Sequence, residues 1–269
     1  MDFGIIVLAI IQGITEFLPV SSSAHLIIFR DLFGVGTSMS GDIAIVFDVA
    51  LHFGTLLAIL VYFFKDWLNI IVKGFTKPKE DGKLLWYLVA ATIPAALMGV
   101  LFEDKIDELV RGNFYIIGAA LIIMGIVLYI ADAKSERTRE IKDITLKDAL
   151  IIGCSQVFAL IPGFSRSGTT ITAERFLKID RKDSAKFSFY LSAPVVAGGF
   201  LLHIIKSESR ALILDNLLPF GIGILVSFII GLLCIKFLLQ YLNKHSYKVF
   251  MIYRVLMGIL VIVLALIRG

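Results

Sequence analysis

The chain has 269 residues, 58% of them hydrophobic, with 26 basic and 22 acidic side chains and a formal net charge of +4. Soluble domains are about 45–50% apolar, so this composition and a mean hydropathy of +0.89 exclude an ordinary soluble domain, and the small, scattered charge excludes a nucleic-acid binder. The two cysteines, Cys154 and Cys234, lie in apolar runs, which excludes a disulfide framework or a cysteine metal site.

The opening MDFGIIVLAI lacks a basic leader region and a small-residue cleavage site, so it is expected to be retained rather than removed as a signal peptide. Residues 3–18 are apolar but stop at Pro19, short of the roughly 20 residues a helix needs to cross a bilayer. Small polar residues follow, a pattern that predicts a re-entrant hairpin. Spans are predicted at 43–64, 84–102 and 114–131. A second broken stretch, 149–161, ends at Pro162, and spans follow at 187–205, 217–235 and 249–267. All are predicted as helices, because in lipid every backbone polar group must be satisfied within its segment. The expected fold is an all-α polytopic membrane protein with two re-entrant broken-helix hairpins and about six transmembrane helices.

The order of elements repeats. Aligning Pro19 with Pro162 lays TEFLPVSSSAH (15–25) on FALIPGFSRSG (158–168), with Ser22 on Ser165 and Ser23 on Arg166. The chain therefore reads as one membrane domain, 1–269, made of halves at about 1–135 and 140–269, each a hairpin followed by three spans. Three is odd, so the second half enters from the opposite face, which makes an inverted repeat. Basic residues agree with this topology. Lys65, Lys73, Lys77, Lys79 and Lys83, then Lys134, Arg137, Arg139, Lys142 and Lys147, then Arg175, Lys178, Arg181, Lys182 and Lys186, then Lys236, Lys244 and Lys248 fall on one side. The other side has Arg30, Lys105, Arg111, Lys206, Arg210 and Arg268. By the positive-inside rule the first side is cytoplasmic; the first hairpin then opens outward, the second inward, and both termini lie outside.

Ionisable groups within membrane segments are costly and are functional candidates by default. Gln12 and Glu16 are four apart, on one helix face. A carboxylate and an amide there suit a hard cation or a general base held by a neighbour. In PVSSSAH the proline frees backbone N–H groups. Ser21, Ser22 and Ser23 serve either as caps for the next half-helix or as functional hydroxyls, with His25 three residues beyond Ser22 on the same face. In PGFSRSGTT (162–170) the glycines permit a tight turn and close backbone approach, and the next half-helix presents its positive end. Arg166 offers a planar fork for phosphate oxygens, and Ser165, Ser167 and Thr170 add donors. Arg166 also suits an ion pair with Glu16. His52 and His203 read as hydrogen-bonded core histidines, Asp48 as lining the access path, and Arg254 as snorkelling. Together these residues point to an anion, phosphate above all, bound within the membrane beside acid–base groups.

QGITEFLPVSSSAH and PGFSRSGTT resemble the two signature motifs of the bacterial undecaprenyl pyrophosphate phosphatases, also called bacitracin-resistance proteins, and the resemblance covers the whole chain. It implies hydrolysis of undecaprenyl pyrophosphate to the monophosphate in the bacterial plasma membrane, which recycles the lipid carrier for peptidoglycan. It implies Glu16 as the key acid with Gln12 its partner, Ser22 and His25 as nucleophile candidates, and Arg166 with Ser165, Ser167, Thr170, Ser21 and Ser23 around the phosphate. Many members have Glu where this chain has Gln12. Mg²⁺ or Ca²⁺ held through Glu16 and Gln12 remains compatible, since Mg²⁺ needs only one or two carboxylates plus substrate phosphates. The site is expected to open to the outer face. The partners expected are a polyprenyl diphosphate lipid and the membrane, and the sequence leaves room for a homodimer. Inverted repeats of broken helices are also the architecture of secondary transporters, so a transporter or flippase of an anionic lipid or small anion is the alternative that fold alone supports.

Overall fold

The computed structural model describes residues 2–39, 41–110 and 112–268; Arg111, counted above among the outer basic residues, lies outside the described residues. Two short helices, α1 (Phe3–Thr15) and α2 (Ser22–Ile27), form the first hairpin, and α2 runs on into a π-helical turn, Ile28–Leu32. Then come α3 (Asp42–Tyr62), α4 (Phe64–Thr76), α5 (Lys83–Val110) and α6 (Phe114–Lys134). The second half begins with the hairpin of α7 (Leu146–Gln156) and α8 (Arg166–Phe176), and continues with α9 (Arg181–Ile205), α10 (Ser207–Asp215), α11 (Leu217–Tyr241) and α12 (Lys248–Arg268). Among the described residues, six helices are long and apolar enough to cross a membrane: α3, the first twenty residues of α5, α6, α9, α11 and α12. The protein is an all-α, multi-pass membrane protein.

Several segments differ from the sequence expectation; α5 runs on to Val110 and α11 to Tyr241, past the expected ends at 102 and 235. α9 starts at Arg181 rather than 187, because the Asp180 carboxylate accepts the Lys182 N–H and caps the helix. Residues 64–83, expected as a loop, contain α4, whose Phe64, Leu68, Ile71, Val72 and Phe75 are exposed and share one face. That is the pattern of a helix lying in the membrane interface. Residues 207–215 form the short helix α10.

Each hairpin packs on the other half: α1 lies along α11, and α7 along α5. α6 pairs with α12, where a Cβ added to Gly118 would meet the Gly258 carbonyl, and one on Gly258 the Gly118 carbonyl. Only glycine allows that approach, as is common where helices associate in lipid. The exterior carries Leu97, Leu225, Leu233 and Leu260, whereas Gln12, Glu16, His25, Ser165, Thr170 and Arg254 are buried. Water as solvent would favour the reverse arrangement; a bilayer favours this one.

α8 is fixed at both ends. At its C-terminal end, Asp132 of α6 accepts from Arg175 Nε at 3.0 Å, from Arg181 Nε and Nη2 at 2.6 and 2.7 Å, and from the Tyr247 backbone at 3.2 Å. Arg175 also donates to the Ile179 carbonyl. One buried carboxylate with this many donors is satisfied in the interior and ties α6, α8, α9 and the start of α12 together.

Candidate active site

Proline ends each first arm, and the return arm begins with a serine in left-handed backbone. Ser21 has φ 78° and Ser165 has φ 73°. Non-glycine residues are uncommon in this region. Each serine accepts the N–H three residues on, from Ala24 and Gly168, and so caps its helix. Structure therefore pairs Ser21 with Ser165, and Ser22 with Arg166. The sequence alignment on the prolines is one residue out of register, because two residues separate Pro162 from its cap and only one separates Pro19 from its cap.

The two tips touch. The Gly163 N–H donates to Ser21 Oγ at 3.1 Å, and Ser167 Oγ donates to the Leu18 carbonyl at 3.2 Å. Arg254 closes the junction. It does not snorkel: it is fully buried and donates to Pro19 O at 2.9 Å, Gly163 O at 2.6 Å, Phe164 O at 3.1 Å and Leu121 O at 3.1 Å. Broken helices leave carbonyls without intrahelical donors, and in lipid these must be met internally. One guanidinium from α12 meets carbonyls at both breaks.

Glu16, just past α1, is the hub. Its Oε1 receives Arg166 Nη2 at 2.6 Å. Its Oε2 receives Ser22 Oγ at 2.7 Å and Gln12 Nε2 at 3.0 Å. His52 of α3 joins them, with Nδ1 3.1 Å from Glu16 Oε2 and 2.8 Å from Gln12 Nε2. The expected ion pair between Arg166 and Glu16 is thus present; Arg166 Nη1 also donates to the Ser188 carbonyl at 3.3 Å.

A cavity of about 270 Å³ opens over this group. Glu16, Ser21, Ser22, Ser23, His52, Gln156, Ser165, Arg166 and His203 line it, and Val49, Ala95, Leu160, Val195, Val196 and Phe200 form an apolar wall. A second cavity of about 250 Å³ shares Ser23, His52 and His203 and reaches Asp48. Asp48 is held by Arg30 in a bidentate pair at 2.9 and 2.5 Å.

The remaining candidates sit behind the cavity. Thr170 Oγ1 bonds Ser188 Oγ at 2.7 Å and the Arg166 carbonyl at 3.0 Å, which braces the arginine's turn. Ser167 Oγ lies 3.2 Å from Ser165 Oγ. His25 is 1% exposed and does not line the cavity. Its Nδ1 lies 2.7 Å from the Ser21 carbonyl, so that nitrogen carries the proton, and Nε2 accepts from Tyr253 Oη at 2.6 Å. Both ring nitrogens are engaged, and the imidazole holds the backbone of the strained Ser21.

Sequence reading missed His52, His203 and Gln156 as cavity residues, and Arg254 as the residue that joins the two breaks. A histidine four residues from an intramembrane Asp48 was the available signal for His52. Among the described residues no three His, Cys, Asp or Glu side chains converge as a metal site. Gln12 Oε1 is nevertheless a buried oxygen that has no hydrogen-bond partner among the described residues, beside the Glu16 carboxylate.

The sequence model of the bacitracin resistance protein BacA family matches residues 5–260. The chain belongs to this family. It is 45% identical to the undecaprenyl-diphosphatase of Desulforudis audaxviator over 98% of each chain, and 45% identical to that of Elusimicrobium minutum over the same shares. The undecaprenyl-diphosphatase of Caldicellulosiruptor bescii is 43% identical over 99% of this chain and 98% of its own. Similarity to the BacA family thus spans both hairpins and all six long helices.

Proposed function

We propose that this protein hydrolyses undecaprenyl diphosphate to undecaprenyl phosphate and inorganic phosphate in the bacterial plasma membrane. The observation that carries the reading is the Ser22–Glu16–Arg166 chain, a hydroxyl bonded to a carboxylate that is itself bonded to a guanidinium, at the floor of a half-apolar cavity. Full-length relatives named undecaprenyl-diphosphatase support it.

The diphosphate head enters the cavity, with the prenyl chain against the apolar wall of α3, α5 and α9. Arg166, Ser165 and the first N–H groups of α8 face the terminal phosphate and offset charge on its oxygens. Ser22 Oγ attacks that phosphorus while its proton passes to Glu16 Oε2, 2.7 Å away. The phosphoanhydride bond breaks and undecaprenyl phosphate leaves as an anion. Water then attacks the phosphoserine; the P–Oγ bond breaks, Glu16 returns its proton to Ser22 Oγ, and the two hydrogens of the water leave on the phosphate as dihydrogen phosphate, which restores both the hydroxyl and the carboxylate. Ser21 and Ser23 flank the nucleophile at the cavity edge.

The donor set fits a divalent ion shared with the substrate rather than one caged by protein alone. Glu16 and the free Gln12 Oε1 would hold Mg²⁺ or Ca²⁺ jointly with phosphate oxygens, and the ion would neutralise diphosphate charge.

We infer an inverted relation of the halves, with the cavity opening to the outer face, from the lysine and arginine bias of the loops. Phosphate release from a polyprenyl diphosphate by the purified protein in detergent tests the function. Release that depends on Glu16 supports it, and binding without release would favour a transporter.

A further inference from the structure

Both hairpins carry a glutamine nine residues before the capping serine: Gln12 before Ser21, and Gln156 before Ser165. Their surroundings differ. Gln12 is bonded to Glu16 and His52. Gln156 ends α7 and is 2% exposed, and neither its Nε2 nor its Oε1 has a hydrogen-bond partner among the described residues. It lines the same cavity as Ser22 and Arg166, at a point where its amide is sealed from solvent.

A buried amide with neither end satisfied is costly, and native structures rarely keep one without reason. A purely structural glutamine would bond a backbone group or a neighbour. Gln156 instead keeps two N–H donors and a carbonyl at the edge of a cavity whose other polar lining includes a cation and hydroxyls. Two N–H donors suit phosphoryl oxygens, which accept only. The last side-chain torsion of glutamine is broad, so the amide turns toward the cavity without moving the helix.

We propose that Gln156 is a further substrate-binding residue, whose Nε2 donates to a non-bridging oxygen of the diphosphate. This rests on the reading of the cavity as a diphosphate site. The second hairpin then contributes donors through Arg166, Ser165 and Gln156, while the first contributes the nucleophile and its base.

The test compares the full-length wild type with Gln156→Met and Gln156→Glu in two assays. One is thermal unfolding with and without inorganic diphosphate; the other is phosphate release from undecaprenyl diphosphate. Without ligand, Gln156→Met melts at or above the wild-type temperature, because it removes an unpartnered buried amide. It loses the diphosphate-induced shift, and its KM rises about tenfold while kcat stays within about threefold, the pattern of lost ground-state binding. Gln156→Glu, of equal size, raises KM further by placing a carboxylate against phosphate. A Gln156→Met protein that melts lower, or is too unstable to purify, overturns the proposal, because the amide is then structural. An unchanged KM with an unchanged diphosphate shift overturns it as well. If the wild type released no phosphate but diphosphate still stabilised it through Gln156, the hydrolase reading would fall and the binding assignment would stand.

Discussion

Ser22 Oγ donates to Glu16 Oε2 across 2.7 Å, while the other oxygen of the same carboxylate is held by Arg166 at 2.6 Å. The first residue comes from the return arm of one hairpin, the second from its entering arm, and the third from the other hairpin. The carboxylate is thus oriented by one half of the protein and aimed at a hydroxyl of its own half. A serine is a weak nucleophile unless a base takes its proton; this geometry supplies the base.

Glu16→Gln keeps the size of the side chain and removes its basicity. It also leaves Arg166 without its counter-charge. Phosphate release is expected to fall by about 10²–10⁴-fold, the usual weight of general-base catalysis. Steady-state turnover with undecaprenyl diphosphate measures this.

Arg166→Lys preserves the charge but not the planar fork that now spans Glu16 and the Ser188 carbonyl. A lysine cannot make both contacts and still face phosphate. The variant is expected to keep only a small fraction of wild-type kcat/KM, and near-normal rates would show that the fork is dispensable.

His25 separates a positioning role from a nucleophilic one. His25→Asn retains an amide donor that can still reach the Ser21 carbonyl. It is expected to retain measurable phosphate release, whereas His25→Phe, which has no donor, loses both activity and thermal stability. If Asn and Phe were equally inactive while both melted like the wild type, His25 would be acting on the substrate itself.

Arg254→Met leaves the carbonyls of Pro19, Gly163 and Phe164 without their donor. Each orphaned buried acceptor costs about 1–3 kcal/mol, so the loss of stability is expected to reach several kcal/mol, read as a lower unfolding temperature in detergent. Arg254 does not itself line the cavity, so loss of rate should track loss of folded protein.

The hairpins were legible in the sequence because proline followed by small polar residues interrupts apolar runs too short to span. Glu16, Ser22, Ser165 and Arg166 were legible for the same reason, since each lies within a few residues of a break. The register between the hairpins was not, because the extra residue after Pro162 shifts the cap and only backbone geometry reveals it. His52 and Arg254 sit in uninterrupted apolar helices, and their contacts come from packing of α3 against α1 and of α12 across both breaks. No local pattern encodes such partners. α4 escaped because its lysines marked the segment as a loop, whereas its apolar face lies at helical spacing.

Covalent trapping at Ser22 tests the central claim most directly. The protein is mixed with β-³²P-labelled undecaprenyl diphosphate, quenched in acid, and the labelled peptide is sequenced. An acid-stable phosphoserine at Ser22, absent from Ser22→Ala, is the predicted result. An acid-labile adduct on a histidine, or full phosphate release by Ser22→Ala, would contradict the account.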